Sequence, residues 1–85
     1  MTRDELQEKI LTILEKDFEF DHPGLDDNLR NEHGFDSIDA IELLAKIEKI
    51  IGFTIAREEK EKAMSIRTVN DILDYIEALI GARTS

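Results

Sequence analysis

The sequence has no cysteine and no tryptophan, and it has only one proline and four glycines. Without cysteine, neither a disulfide framework nor a thiolate metal site can form, so a reducing compartment is permitted. Basic residues are also few, with 11 Lys and Arg against 20 Asp and Glu, and the formal net charge is -9. Nucleic-acid binding depends on basic residues that neutralise phosphates, so we expect no nucleic-acid partner.

Long apolar runs are also missing. No stretch approaches the length that spans a bilayer, and the opening MTRDELQEK is charged rather than apolar. We therefore expect a cytoplasmic protein without membrane insertion. With 85 residues the chain is expected to form a single domain over 1–85 and to be a monomer. Its high negative charge favours solubility and contacts with basic patches on protein partners.

What the sequence does contain is apolar spacing typical of helices, which predicts an all-α fold. The first predicted helix covers about residues 3–16, with Leu6, Ile10, Ile13 and Leu14 on one side. The periodicity then fails over a long loop, residues 17–36, which contains the turn signal DHPG.

A loop of this length is seldom structureless in a compact domain. We expect a short helical turn within it, capped by Asp26 or Asp27. Four apolar side chains are expected to hold the loop against the core: Phe18, Phe20, Leu25 and Leu29.

Three further helices are predicted, at about residues 37–51, 57–63 and 68–80, the middle one short and charged. Gly52 follows the first of these three as a C′ glycine would, and Gly81 is expected to end the last, with the remaining residues frayed. The pattern predicts a small antiparallel four-helix bundle, made of three main helices plus a short third helix, with a long loop after helix I.

The predicted helix over residues 37–51 carries two apolar stripes. The wider one is expected to face the core and consists of Ala40, Leu43, Leu44, Ile47, Ile50 and Ile51. The second, bordered by acidic residues, consists of Ile38, Ile41 and Ala45. Either this second stripe is buried in a three-sided packing, or it is exposed for a partner. We favour exposure, because few helices cannot cover the whole circumference of one member.

Ser37 opens the same helix within the segment GFDSIDAIELL. Asp36 at the N-cap and Asp39 three positions later form a pair like a capping box, which predicts an accessible Ser37 hydroxyl on the first turn. A phosphate ester there would meet free amide hydrogens and the positive end of the helix dipole. The ordinary alternative is that Asp36 and Ser37 merely start a helix.

The segment GFDSIDAIELL resembles the prosthetic-group attachment site of acyl carrier proteins, with its Gly, Asp-Ser pair, aliphatic residue, acid and Glu-Leu. The resemblance covers most of the chain and includes GFTI and the closing TVNDILDYI. It implies a carrier rather than an enzyme. It also implies that Ser37, beside Asp36, carries 4′-phosphopantetheine, whose terminal thiol holds an acyl group as a thioester.

The resemblance further implies partners, namely a phosphopantetheinyl transferase and acyl-processing enzymes that dock through basic patches. On matching positions the acidic contacts are Asp36, Asp39, Glu42 and Glu48, and the second apolar stripe adds Ile38, Ile41 and Ala45. Charge steering of this kind raises the association rate and weakens with salt.

Family carriers also shelter an acyl chain between helices, and the matching lining positions are Leu29, Leu44, Ile47, Ile55, Ile72 and Tyr75. Ile72 stands where a small side chain is frequent, which predicts a narrowed pocket that prefers shorter or polar acyl groups.

Departures from the family pattern point to a specialised member outside bulk fatty-acid synthesis. His33 replaces an apolar residue, Ile38 replaces leucine, and Lys46 and Lys49 make the second helix less acidic. The segment AMSIR also lengthens the link to the last helix.

The function expected from the sequence is an acyl carrier in fatty-acid, polyketide or related lipid biosynthesis. Two alternatives are an aminoacyl or peptidyl carrier and a helical interaction module without a prosthetic group. A hydrolase triad from Ser37, His33 and Asp36 is disfavoured, because the sequence has no nucleophile-elbow pattern. No metal site is predicted, since the acidic loop does not follow EF-hand spacing.

Overall fold

The computed structural model describes residues 2–84, with side chains described as far as residue 82. Those residues form five α-helices and one 3-10 turn, with no strand among them. The helices are α1 (Arg3–Lys16), α2 (Leu29–His33), α3 (Ser37–Ile51), α4 (Arg57–Lys62) and α5 (Val69–Thr84), and the turn Ala63–Ser65 directly follows α4. The prediction of a small all-α bundle is confirmed, with five helices in place of the predicted four.

The first helix begins at a complete capping box. The Thr2 hydroxyl accepts the Glu5 N–H at 3.2 Å, and the Glu5 carboxylate accepts the Thr2 N–H at 3.2 Å. Without these two bonds, the N–H groups of Thr2 and Glu5 at the start of the helix would lack hydrogen-bond partners. Leu6, Ile10 and Leu14 of the predicted stripe are buried in the core, whereas Ile13 is only half-buried.

The last helix is longer than predicted. A capping pair starts it, since the Asp71 N–H donates to the Thr68 hydroxyl at 3.1 Å and the Thr68 N–H donates to the Asp71 carboxylate at 3.1 Å. The prediction that Gly81 ends the helix with frayed residues after it is wrong for residues 82–84, which stay helical. A glycine inside a helix costs only about 1 kcal/mol. Ser85 lies outside the described residues.

The core gathers one side of each long helix. Phe35, Ile47, Ile72 and Leu73 are among its largest fully buried side chains. The other buried apolar residues are Leu6, Ile10, Leu14, Leu29, Ala40, Leu43, Leu44, Ile55, Ala63, Ile66, Val69, Ile76 and Leu79. Within residues 2–84, no helix combines the length and the apolar character needed to cross a bilayer.

The long segment after α1 contains the short helix α2, so the short helical turn expected within residues 17–36 is present, but its cap differs from the prediction. Asn28 caps this helix, with its side-chain oxygen accepting the Arg30 and Asn31 N–H groups at 3.1 Å. The predicted caps have other partners. The Asp27 carboxylate accepts the Gly24 N–H at 2.7 Å, and the Asp26 carboxylate accepts the Asn70 amide at 2.7 Å.

Backbone hydrogen bonds fasten this segment to the start of α5 and to the residue Arg67 before it. The Leu29 N–H donates to the Arg67 carbonyl at 2.8 Å, and the Asn70 N–H donates to the Leu25 carbonyl at 3.2 Å. Arg30 reaches the Met64 carbonyl at 2.8 Å. As a result α2 is held against the end of the 3-10 turn, and the chain leaving α2 enters α3 from a fixed position.

Two isoleucines on α3 provide a matched test of this packing. Ile47 is fully buried, whereas Ile41 is 62% exposed. We expect Ile47→Ala to lower the free energy of unfolding by about 2–5 kcal/mol, because it leaves a cavity in the core. Ile41→Ala should change it by less than about 0.5 kcal/mol, as surface substitutions do.

Urea denaturation followed by circular dichroism measures both values. Equal losses for the two variants would contradict the assignment of α3 sides.

Candidate functional site

The start of α3 is set by reciprocal hydrogen bonds between two aspartates. The Asp36 carboxylate accepts the Asp39 N–H at 2.9 Å, and the Asp39 carboxylate accepts the Asp36 N–H at 3.2 Å. The predicted capping box is therefore present, with Asp in both acidic positions. It fixes the first helical residue as Ser37.

Gly34 and Phe35 position this helix start. Gly34 ends α2 with a left-handed φ of 70°, a conformation that favours glycine over residues with a side chain. Phe35 is 2% exposed, and its N–H donates to the Leu29 carbonyl at 3.0 Å. Anchoring Phe35 in the core two residues before Ser37 leaves Ser37 little freedom to shift.

Ser37 itself is exposed. Its hydroxyl has no hydrogen-bond partner among the described residues, so it is not consumed by helix capping. Beside it lie the Ser37 and Ile38 N–H groups, at the positive end of the helix dipole, whereas the Asp39 and Ala40 N–H groups already donate to Asp36. An accessible hydroxyl with amide donors around it fits a phosphodiester, which is anionic and needs room for a chain to leave the surface.

The second apolar stripe of α3 is exposed. Ile38 is 67% exposed and Ile41 is 62% exposed, and Ala45 is also exposed. The alternative of a three-sided burial is wrong, because the core covers only the side of α3 that carries Ala40, Leu43, Leu44 and Ile47. The stripe thus continues along the surface from Ser37 toward the C-terminal half of the helix.

Acidic residues predicted to border the stripe have different surroundings. Asp36 and Glu42 are exposed, and Asp39 is half-buried by its part in the capping box. Glu48 differs from them, since its carboxylate accepts the Ile55 N–H at 2.7 Å and lies 4.0 Å from the Lys60 ammonium. This carboxylate ties the end of α3 to the segment before α4.

An apolar groove of about 190 Å³ lies between α3 and the α4 region. Its lining residues are Ile41, Leu44, Ala45, Glu48, Lys60 and Met64. Met64 is 38% exposed, so the 3-10 turn contributes an apolar wall that the sequence did not indicate. The groove opens next to the exposed stripe.

The residues predicted to line an acyl pocket are packed in the core. Leu29, Ile47 and Ile72 are fully buried, Ile55 is 2% exposed and Leu44 is 4% exposed. Tyr75 is half-buried, and its hydroxyl donates to the Glu59 carbonyl at 2.6 Å, which joins α5 to α4. The structure therefore brings these six residues into one core, and Leu44 among them reaches the groove.

His33 belongs to a cluster of aromatic side chains that includes Phe35, and not to a catalytic triad. Its ring stacks on Phe20 with centroids 5.4 Å apart, and Phe20 and Phe18 both meet the edge of Phe35 at 6.3 Å. The Asp27 carboxylate lies 3.4 Å from the His33 ring nitrogen. The sequence signal for this cluster was the segment FEF, in which Phe18 and Phe20 are separated by one residue.

The same carboxylate belongs to a polar cluster formed by Asp27, Glu32 and His33. In this cluster one side-chain oxygen or nitrogen atom of each residue lies within 4.8 Å of those of the other two. The Gly24 N–H, helped by His33, holds the pKa of the Asp27 carboxyl below its ordinary value. These contacts fasten the loop to α2.

Comparison with known proteins identifies the family. Residues 8–76 match the family model described as a phosphopantetheine attachment site. Acyl carrier protein 2 of Ralstonia nicotianae is 33% identical, with 96% of this chain and 100% of that protein covered. The acyl carrier proteins of Lactobacillus acidophilus and Prochlorococcus marinus are 32% and 30% identical, each covering 95% of this chain and their own full length. The chain belongs to the acyl carrier protein family.

Acyl carrier proteins are carriers and not catalysts, and their prosthetic group is 4′-phosphopantetheine. The group supplies a thiol at the end of a long flexible arm. Members of the family interact with phosphopantetheinyl transferases and with acyl-processing enzymes.

Tyr75 allows a spectroscopic test of the contact between α4 and α5 in this carrier. Burial raises the pKa of Tyr75 to about 12, and the charges of Glu59 and Glu48 add to the shift. In the folded state the phenol thus stays protonated at pH values above its ordinary pKa of about 10. Stability should therefore fall as pH rises from about 10 to about 12, because the unfolded chain releases the proton first.

Ultraviolet absorbance reports this titration directly, because the chain has one tyrosine and no tryptophan. We expect a midpoint clearly above 10 while circular dichroism still shows the helices, and a midpoint near 10 in urea. A midpoint near 10 in the folded protein would show that Tyr75 is not buried against α4.

Proposed function

We propose that the chain carries acyl groups as thioesters on a 4′-phosphopantetheine arm attached to Ser37. The observation that supports this most directly is the Ser37 hydroxyl, which is exposed and free of hydrogen bonds within the described residues. It lies inside the region that matches the attachment-site family. Asp36 contributes by capping α3, and so by holding the serine at the helix start.

Attachment needs an outside enzyme, because a serine hydroxyl at its ordinary pKa is a weak nucleophile. The new bond joins Ser37 Oγ to a phosphorus of coenzyme A, and the bond from that phosphorus to the departing adenosine bisphosphate breaks. The hydroxyl proton passes to a base of the transferase, and a metal ion stabilises the pyrophosphate displacement. The chain supplies only a positioned, accessible oxygen.

The face that partners contact is proposed to surround Ser37 on α3. Its exposed aliphatic groups offer area to bury, and its carboxylates offer charges for basic patches. We assign to it Asp36, Ile38, Asp39, Ile41, Glu42 and Ala45. Glu48 contributes less than the sequence suggested, because its carboxylate is already engaged by the Ile55 N–H and Lys60.

The proposed cargo is acyl and not aminoacyl. Aminoacyl carriers often lack the acid that follows the aliphatic neighbour of the serine, whereas this chain has Asp39 there and Glu42 one turn later. The relatives named acyl carrier protein support the same choice. The proposed carrier is a monomer in the cytoplasm. It serves fatty-acid, polyketide or related lipid synthesis.

Short or polar acyl groups suit this carrier best. Ile47, Ile55 and Ile72 fill the interior, so a long chain would have to separate well-packed side chains. A close-packed core resists such insertion. The groove bordered by Leu44 and Met64 offers a smaller, more accessible site of about 190 Å³.

Intact mass spectrometry tests the attachment. The protein is incubated with coenzyme A, magnesium and a broad-specificity phosphopantetheinyl transferase, beside Ser37→Ala. We expect one added arm on the natural sequence and none on the variant, because Ser37 supplies the acceptor oxygen.

Ser65→Ala serves as a matched control, since Ser65 is also exposed but lies in the 3-10 turn. It should be modified like the natural sequence. A folded protein that gains no arm would favour the interaction module without a prosthetic group.

A further inference from the structure

The exposed side of α3 carries a charged stripe that changes sign along its length. Asp39, Glu42, Lys46 and Lys49 follow one another at intervals of three or four residues, so they line one side of the helix. The stripe runs beside the apolar groups of Ile38, Ile41 and Ala45. Its acidic half lies next to Ser37, and its basic half lies about 10–15 Å further along the axis.

Lys49 differs from the other basic residues of this region. On α3 and α4, Lys46 pairs with Asp17 at 3.0 Å and Lys60 pairs with Glu48 at 4.0 Å. Arg57 and Lys62 pair with acids on their own helix. Within the described residues, no carboxylate lies within ion-pair distance of the exposed Lys49 ammonium.

Two shallow surface depressions meet at this lysine. One is lined by Glu42, Ala45, Lys46 and Lys49, and the other by Ala45, Glu48, Lys49, Gly52, Phe53 and Thr54. A side chain of a partner protein that docked along the apolar stripe would therefore reach the Lys49 ammonium. In a chain with a net charge of -9, an unpaired cation at that position is an uncommitted recognition group.

We propose that α3 selects enzymes whose docking surface is itself of mixed charge, with a basic group beside Ser37 and a carboxylate opposite Lys49. Lys49 is then the specificity-determining residue that disfavours partners with uniformly basic docking surfaces. Like charges across an interface repel, and such repulsion is a common means of rejecting wrong partners. The inference rests on the proposed carrier function, because it assumes that enzymes dock on the face around Ser37.

Binding is measured separately from attachment, on the Ser37→Ala background, so that a failure of either idea is recognised by its own assay. The probe is a phosphopantetheinyl transferase with a uniformly basic docking surface, at about 0.1 M ionic strength. We expect Lys49→Glu to tighten binding about fivefold, since repulsion is replaced by attraction. The gain should disappear at about 1 M salt.

Lys9→Glu is the matched control, because Lys9 is exposed on α1 and the substitution changes the net charge equally. It should alter the dissociation constant by less than about twofold, because Lys9 lies on α1, outside the charged stripe of α3. Equal effects of the two substitutions would overturn the proposal.

A charge exchange on the transferase completes the test. Its basic docking residues are replaced singly by glutamate. We expect one replacement to strengthen binding to the carrier with Lys49 and to weaken binding to Lys49→Glu. Replacements that weaken both equally would overturn the proposal. Sedimentation of the carrier alone addresses a second copy as the occupant, and a dimer abolished by Lys49→Glu would also overturn it.

Discussion

The one-sided burial of α3 is the constraint on which the site depends. Ala40, Leu43 and Ile47 turn one side of the helix into the core, and the helical period then directs Ile38 and Ile41 outward. The capping box at Asp36 adds the axial position, because it makes Ser37 the first helical residue. Rotation and start of the helix together place an exposed hydroxyl beside exposed aliphatic groups.

The charged residues on α3 fall into two groups, those paired within the protein and those that remain free at the surface. Glu48 and Lys46 are used within the molecule, where they tie α3 to the segment before α4 and to the end of α1. Glu42 and Lys49 remain available at the surface. A carrier that meets several enzymes briefly benefits from such exposed charges, since they act mainly on the rate of encounter and on the choice of partner.

Much of the fold followed from local rules. The positions of α1 and α3, the capping pairs and the two stripes of α3 all follow from helical periodicity and cap chemistry, which act within a few residues. The errors occurred where several solutions are locally equivalent. Asn28 caps α2 because the Asp26 carboxylate is bonded to Asn70 and the Asp27 carboxylate to the Gly24 N–H, and α5 continues through Gly81 because a glycine inside a helix costs only about 1 kcal/mol.

The sequence by itself determined the helical class, the start of α3 at Ser37 and the family resemblance, because these depend on short-range spacing. Tertiary structure decided which carboxylates and ammonium groups remain free. Glu48 and Lys49 are neighbours in sequence, yet one is bound by the Ile55 N–H and the other has no acidic partner within the described residues. That difference arises from contacts between segments distant along the chain, which local patterns do not encode.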